Sequence, residues 1–209
     1  MGEAASQGAD KRRQRSVKKL SDPKALRALA HPIRIELVGQ LRVHGQLTAT
    51  QAAELLGESS ASTSFHLRQL AKYGLVEEAG GGQGRERPWR ATAMFTSWPE
   101  VADDPKVEAA AGLLRDVIMD RYVQDLASWN RALPDEAPEW QEAAAFGDTM
   151  LWVTAAELTA LNQRVRELVD VYLERHTTPE LRPPGARRVT FLHIAHPGVD
   201  RARPNDPES

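Results

Sequence analysis

The side chains with the most chemistry to offer lie between residues 59 and 90. Steps of 100° per residue along 59–72, with Leu67 at the centre of a buried stripe, put Thr63, Leu70 and Ala71 beside it. Ser62, Phe65, Gln69 and Lys72 then point outward, with His66 and Arg68 on the flanks. That is the set a helix needs in a DNA major groove: Gln for adenine, Arg for guanine O6 and N7, Ser for either, and an apolar ring for a thymine methyl. Lys72 suits a phosphate. Arg85, Arg87 and Arg90 follow on a glycine-tipped stretch and would meet the flanking backbone or minor groove. A short amphipathic helix has a polar outside for folding reasons alone, but folding gives little reason to place Phe65 on a solvated face. Contact with a protein partner would also explain Phe65.

The other chemical groups are weaker. His193 and His196 stand three apart in a β-prone run, where they would face opposite ways. His31 precedes Pro32 and reads as a capping or packing residue, while His44 and His176 sit at helix ends, where a cation suits the dipole. Asp116, Asp120 and His176 could form a metal site only by meeting across a dimer. There is no cysteine, and therefore no thiolate to select soft metals. No Gly-x-Ser-x-Gly or His-Glu-x-x-His motif occurs, and the Gly80–Gly84 loop leads into Pro88-Trp89-Arg90 rather than a phosphate-binding helix. The chain does not read as an enzyme, and no cofactor or metal is expected. Tyr122, Trp129, Trp140 and Trp152 would serve equally as core or as the lining of a hydrophobic effector pocket.

The elements that would position the basic helix follow from caps and periodicity. Residues 1–20, rich in Lys and Arg and poor in apolar side chains, read as a disordered basic tail. Asp22-Pro23 opens a helix that Pro32 should break or kink and Gly45 should end. Thr48 and Gln51 form a capping box for a second helix, and Ser59 or Ser60 caps the third. A β-hairpin from Leu75 to Thr92 completes a winged helix-turn-helix over 21–96. Residues 104–132 read as a dimerisation helix with apolar positions from Val107 to Trp129. Residues 133–196 read as a small α/β extension, an effector or dimerisation domain, with strands at Phe146–Val153 and Val189–Ile194 around a helix that Thr154 and Glu157 open. A frayed tail spans 197–209. The fold class expected is thus mainly α (α+β).

Charge divides the chain: residues 1–95 carry 15 basic and 9 acidic side chains, and 96–209 carry 12 and 20. A positive front half is compatible with nucleic acid. No apolar run approaches the ~18 residues of a membrane helix, and no signal peptide is apparent, so a cytoplasmic protein without a membrane partner is expected.

Four segments occur in order: Leu26-Arg27-Ala28-Leu29-Ala30-His31-Pro32-Ile33-Arg34, Thr50-Gln51-Ala52-Ala53-Glu54-Leu55-Leu56-Gly57, Ser64-Phe65-His66-Leu67-Arg68-Gln69-Leu70 and Gly74-Leu75-Val76. Together they closely resemble the ArsR-type winged-helix transcription regulators of bacteria. The resemblance covers about residues 20–95, and the C-terminal half resembles an extension seen in some actinobacterial relatives. It implies a homodimer that binds a palindromic double-stranded DNA operator, usually as a repressor, with the effector left open. The DNA-contacting set expected is Thr48, Ser60, Ser62, Phe65, His66, Arg68, Gln69, Lys72, Arg85 and Arg87. A winged helix used for architecture or protein contact is the alternative.

Overall fold

A computed structural model describes residues 17–80 and 87–198. The chain groups into two compact units, residues 1–145 and 146–209. In the first, Asp22 caps α1 (Pro23–Leu29) by accepting from the Lys24 N–H. A residue before proline avoids helical backbone, so His31 is extended and α2 (Pro32–His44) begins anew behind it. Pro32 therefore breaks the helix, as its sequence context suggests.

Gly45, at a positive φ of 80°, turns the chain into β2 (Gln46–Leu47). Helix α3 (Ala49–Leu56) opens on the expected reciprocal cap. The Thr48 N–H donates to Gln51 Oε1 at 2.9 Å, and Thr48 Oγ1 accepts from the Gln51 N–H at 3.2 Å. Ser59, rather than Ser60, caps α4 (Ser60–Lys72). The hairpin of β3 (Val76–Glu78) and β4 (Trp89–Ala91) then adds to β2 in an antiparallel sheet of order β2-β4-β3. These elements make the winged helix-turn-helix.

The core is one cluster in which Leu26, Leu37, Leu41, Leu67, Leu70 and Leu114 are fully buried. Leu114 belongs to α5 (Pro105–Ala132), which lies along α1 and buries Ala110 and Ala111 as well. The apolar stripe read as a dimer seam is thus used, in its N-terminal part, inside the chain. Glu108 helps hold the entry to α5: it accepts from the Ala102 N–H and from Arg115, and both bonds keep its carboxyl below the usual glutamate range. A 3₁₀ turn (Leu133–Asp135) and α6 (Pro138–Ala143), where a loop was expected, close the unit. Residues 133–145 therefore group with the first unit rather than with the extension.

The expected tail over 1–20 needs correction at its end. β1 (Val17–Lys19) pairs in parallel with β5 (Phe95–Ser97), the Leu20 N–H donates to Ser97 O, and the Leu20 side chain is buried. Composition counts basic residues, whereas what orders 17–20 is a free strand edge some 80 positions away in sequence. Residues 1–16 of that expected tail lie outside the described residues.

The second unit is built on α7 (Ala155–Thr177), opened by the Thr154–Glu157 capping box. A 3₁₀ turn (Pro179–Leu181) follows. The strands expected at Phe146–Val153 and Val189–Ile194 do not form, and among the described residues this unit has no strand. A strand exists only as half of a ladder, and β-prone composition alone supplies no partner.

Leu20→Ala tests the corrected boundary. Emptying this site should cost about 2–5 kcal/mol, the usual range for a buried leucine, read as a lower denaturant midpoint at unchanged slope. A disordered tail predicts no change.

Candidate nucleic-acid interface

Helices α3 and α4 meet through a tight turn at Gly57, which takes the left-handed conformation (φ 67°) that favours glycine. The N-terminus of α3, the outer side of α4 and the hairpin border a groove of about 350 Å³. It is lined by Thr48 and Thr50, by Ser64 and Arg68, and by Glu78 and Arg87.

The outward face of α4 is rotated from the one expected. Thr63, His66, Leu67 and Leu70 are the buried residues, so the stripe centres closer to His66 than a wheel drawn on Leu67 and Ala71 allows. After Ser60, Ala61, Phe65, Arg68 and Lys72 are consequently the exposed ones, whereas Ser62, Ser64 and Gln69 are half-buried at the margins. Phe65 is 52% exposed, as its placement on the outer face suggests. Arg68 moves from flank to centre and Gln69 from centre to flank. Ser60 is exposed on the first turn, and Thr48 is half-buried at the groove with its hydroxyl engaged in the cap.

His66 is a correction. Its side chain is buried, with its ring centroid 4.7 Å from that of His31 and 5.4 Å from that of Phe65. Loss of solvent, reinforced by the Arg34 charge, lowers its pKa, while Glu58 opposes the shift. His31 is lowered in the same way, with His66 itself contributing. Both imidazoles therefore favour the neutral form, and His66 joins α4 to the start of α2 instead of facing a duplex. An imidazole is apolar enough in its neutral form to pack in a core, which residue type alone does not reveal.

On the hairpin, Arg87 is paired with Glu78 at 2.9 Å and Arg90 with Glu77 at 2.7 Å. All four side chains are substantially exposed, and such pairs are worth only about 0–1 kcal/mol. Arg87 is therefore oriented across the groove and held there only weakly. Arg85 lies outside the described residues. Ser64 was not in the expected set; its position one helical turn before Arg68 is the signal that would have found it. Among the described residues, no three His, Asp or Glu side chains gather into a metal-ligating group.

A family model for a helix-turn-helix domain matches residues 29–79, from the end of α1 to the hairpin. No curated protein matches the chain. Among solved structures, it is similar to the homodimeric winged helix-turn-helix DNA-binding domain of a possible ArsR-family transcriptional regulator from Mycobacterium bovis. That likeness is 20% in identity with a TM-score of 0.30, and it covers 61% of this chain and 86% of that chain.

The buried imidazoles set a pH dependence. In the unfolded chain they take up protons near 6.5, while in the fold their pKa values are lower. Their contribution is complete above about 6.5 and is lost as pH falls through the folded values. Thermal unfolding from about pH 8 to about pH 5 should therefore fall more steeply for the wild type than for His66→Leu. Parallel curves would remove His66 from this role.

Proposed function

We propose that this chain is a sequence-specific, DNA-binding transcriptional regulator of the ArsR type, acting as a homodimer on a palindromic operator, as a repressor in the bacterial cytoplasm. The observation that carries this reading is the uncovered face of α4, where Phe65, Arg68 and Lys72 stand in line beside a groove walled by Arg87. Arg68 would make the bidentate contact to a guanine, and Phe65 would meet a thymine methyl. Ser62, Ser64 and Gln69 would reach base edges from the margins. Ser60, Lys72 and Arg87 would hold phosphates, and the capped N-terminus at Thr48 would steady the backbone.

Dimerisation would use the far part of α5. Beyond Leu114 no residue of this helix is buried. Met119, Val123 and Leu126, at spacings of four and three, share a face on which Met119 and Val123 are exposed. Two copies related by a two-fold axis would place two α4 helices on successive turns of one duplex side. Among the described residues no helix is long and apolar enough to cross a membrane. The reading as a protein-contact module rests on Phe65 alone, because an exposed aromatic also suits a protein partner.

Binding to a duplex selected from a random pool, measured at several salt concentrations, tests the DNA reading. Arg68→Ala should cost about 1–3 kcal/mol on the selected site and relax its sequence preference. Arg87→Ala should weaken selected and scrambled duplexes alike and reduce the salt slope by about one. Glu78→Gln should do the reverse of Arg87→Ala, tightening both duplexes by freeing the guanidinium. If Arg68→Ala and Arg87→Ala both bind as the wild type does, the protein-contact reading takes over.

Light scattering at micromolar concentration tests the dimer. The wild type should show twice the chain mass and Val123→Asp the single mass, since a carboxylate in an apolar seam has no partner. A monomeric wild type sinks the proposed assembly.

A further inference from the structure

The first unit holds a second concavity, of about 190 Å³, between α2, β5 and α5. Its walls are mostly apolar, with Val38, Phe95, Trp98, Ile118 and Tyr122 among the lining residues, and the carboxylate-paired Arg121 borders it as well. Arg42 also faces it, and its electrostatic setting is unusual. Arg42 Nε donates to Ala93 O at 3.0 Å and Nη2 to Thr96 Oγ1 at 2.7 Å. Both acceptors are neutral. Glu36 and Asp125 are taken up by the neighbouring Arg121, at 2.9 and 3.6 Å. Among the described residues no carboxylate pairs with Arg42. Burial, with the Arg121 charge added, pushes its pKa down to about 10, so it remains a cation at neutral pH. A largely desolvated cation without a counter-charge is costly to the fold, and an anion arriving from solvent would relieve that cost.

Gly39 points the same way. It sits in the middle of α2 and lines the cleft. Glycine weakens a helix interior, and is usually kept there because another group packs against its bare backbone. Here a Cβ would meet nothing within 4 Å. What glycine does at this position is leave the cleft open.

We propose that this cleft binds a small organic acid, a single carboxylate on a compact apolar body. The carboxylate meets Arg42, and the body lies over Gly39 against Phe95, Trp98 and Ile118. One unmatched positive charge selects a monoanion, and the apolar walls disfavour inorganic ions, which would lose their hydration for little return. The volume is below the ~300–1,000 Å³ of pockets for drug-sized ligands, so the ligand is of the size of benzoate or octanoate. A second copy of the chain is not the occupant argued here. Met119 and Val123, on the face assigned to the dimer, each follow a cleft residue by one position, which is 100° round the helix. The inference does not depend on DNA binding, and either can fail alone.

Calorimetric titration of the full chain with sodium benzoate and sodium octanoate tests it, with octan-1-ol and acetate as controls. At least one of the two acids should bind saturably at one per chain. Octan-1-ol, which lacks the charge, and acetate, which lacks the body, should bind at least about tenfold more weakly, the loss expected when a charge-assisted bond or the apolar contact is removed. Arg42→Gln should weaken the acid by a similar factor. Because Arg42 also ties α2 to Ala93 and Thr96, Gly39→Leu provides the second variant: it fills the cleft, should abolish binding, and should leave the melting temperature unchanged or higher. Absence of binding by both acids overturns the proposal. So does octan-1-ol binding as tightly as octanoate, or Gly39→Leu binding as the wild type does.

Discussion

The seating of α4 on the core is the constraint from which the rest follows. Leu67 and Leu70 are fully buried, and Thr63 and His66 complete the same stripe. A helix fixed along four such positions cannot roll without exposing apolar surface, at roughly 25 cal/mol for each Å². Its outer face is therefore set as firmly as its inner one. Ala61, Phe65, Arg68 and Lys72 are outward because of what Thr63, His66, Leu67 and Leu70 do inward. The tilted contact of the His66 ring with that of His31 adds a lateral tie to the Pro32 break, so the proline that interrupts the first helix also helps fix the third.

The hairpin and α5 use the same core from other directions. Trp89 and Val76 are buried while Arg87, Arg90, Glu77 and Glu78 lie outside, so the antiparallel pairing of β3 with β4 sorts charge from apolar surface. The ion pairs this creates balance the charges of the hairpin's described residues. On the proposed reading, Arg87 and Arg90 meet a polyanion as these carboxylates are left behind, which makes Glu78 as relevant to the groove as Arg87. Helix α5 buries Ala110, Ala111 and Leu114 and then runs on, without a buried residue of its own. The cleft that holds Arg42 lies between that helix, α2 and β5, and so a ligand there would touch both the helix-turn-helix and the element proposed to pair two copies.

What the sequence alone determined is what depends on neighbours along the chain. Caps at Asp22, Thr48 and Thr154, and the break at Pro32, are local, because a side chain within about three residues satisfies or removes a backbone hydrogen bond. The order of helices and hairpin was legible for the same reason, and so was the exposure of Phe65.

What only the tertiary structure decided depends on partners far away in sequence. Residues 17–20 are ordered by β5, which composition could not show, while Phe146–Val153 and Val189–Ile194 look β-prone but join no ladder among the described residues. A strand is a property of two segments, whereas a helix is a property of one. His66 was legible as a polar residue on a helix flank, and became core only because His31 arrives to meet it. Arg42 likewise is one basic residue among many until Ala93, Thr96 and Arg121 surround it and leave it bonded to neutral acceptors. Periodicity tells which side chains share a face, but burial and electrostatic need are set by what folds against that face.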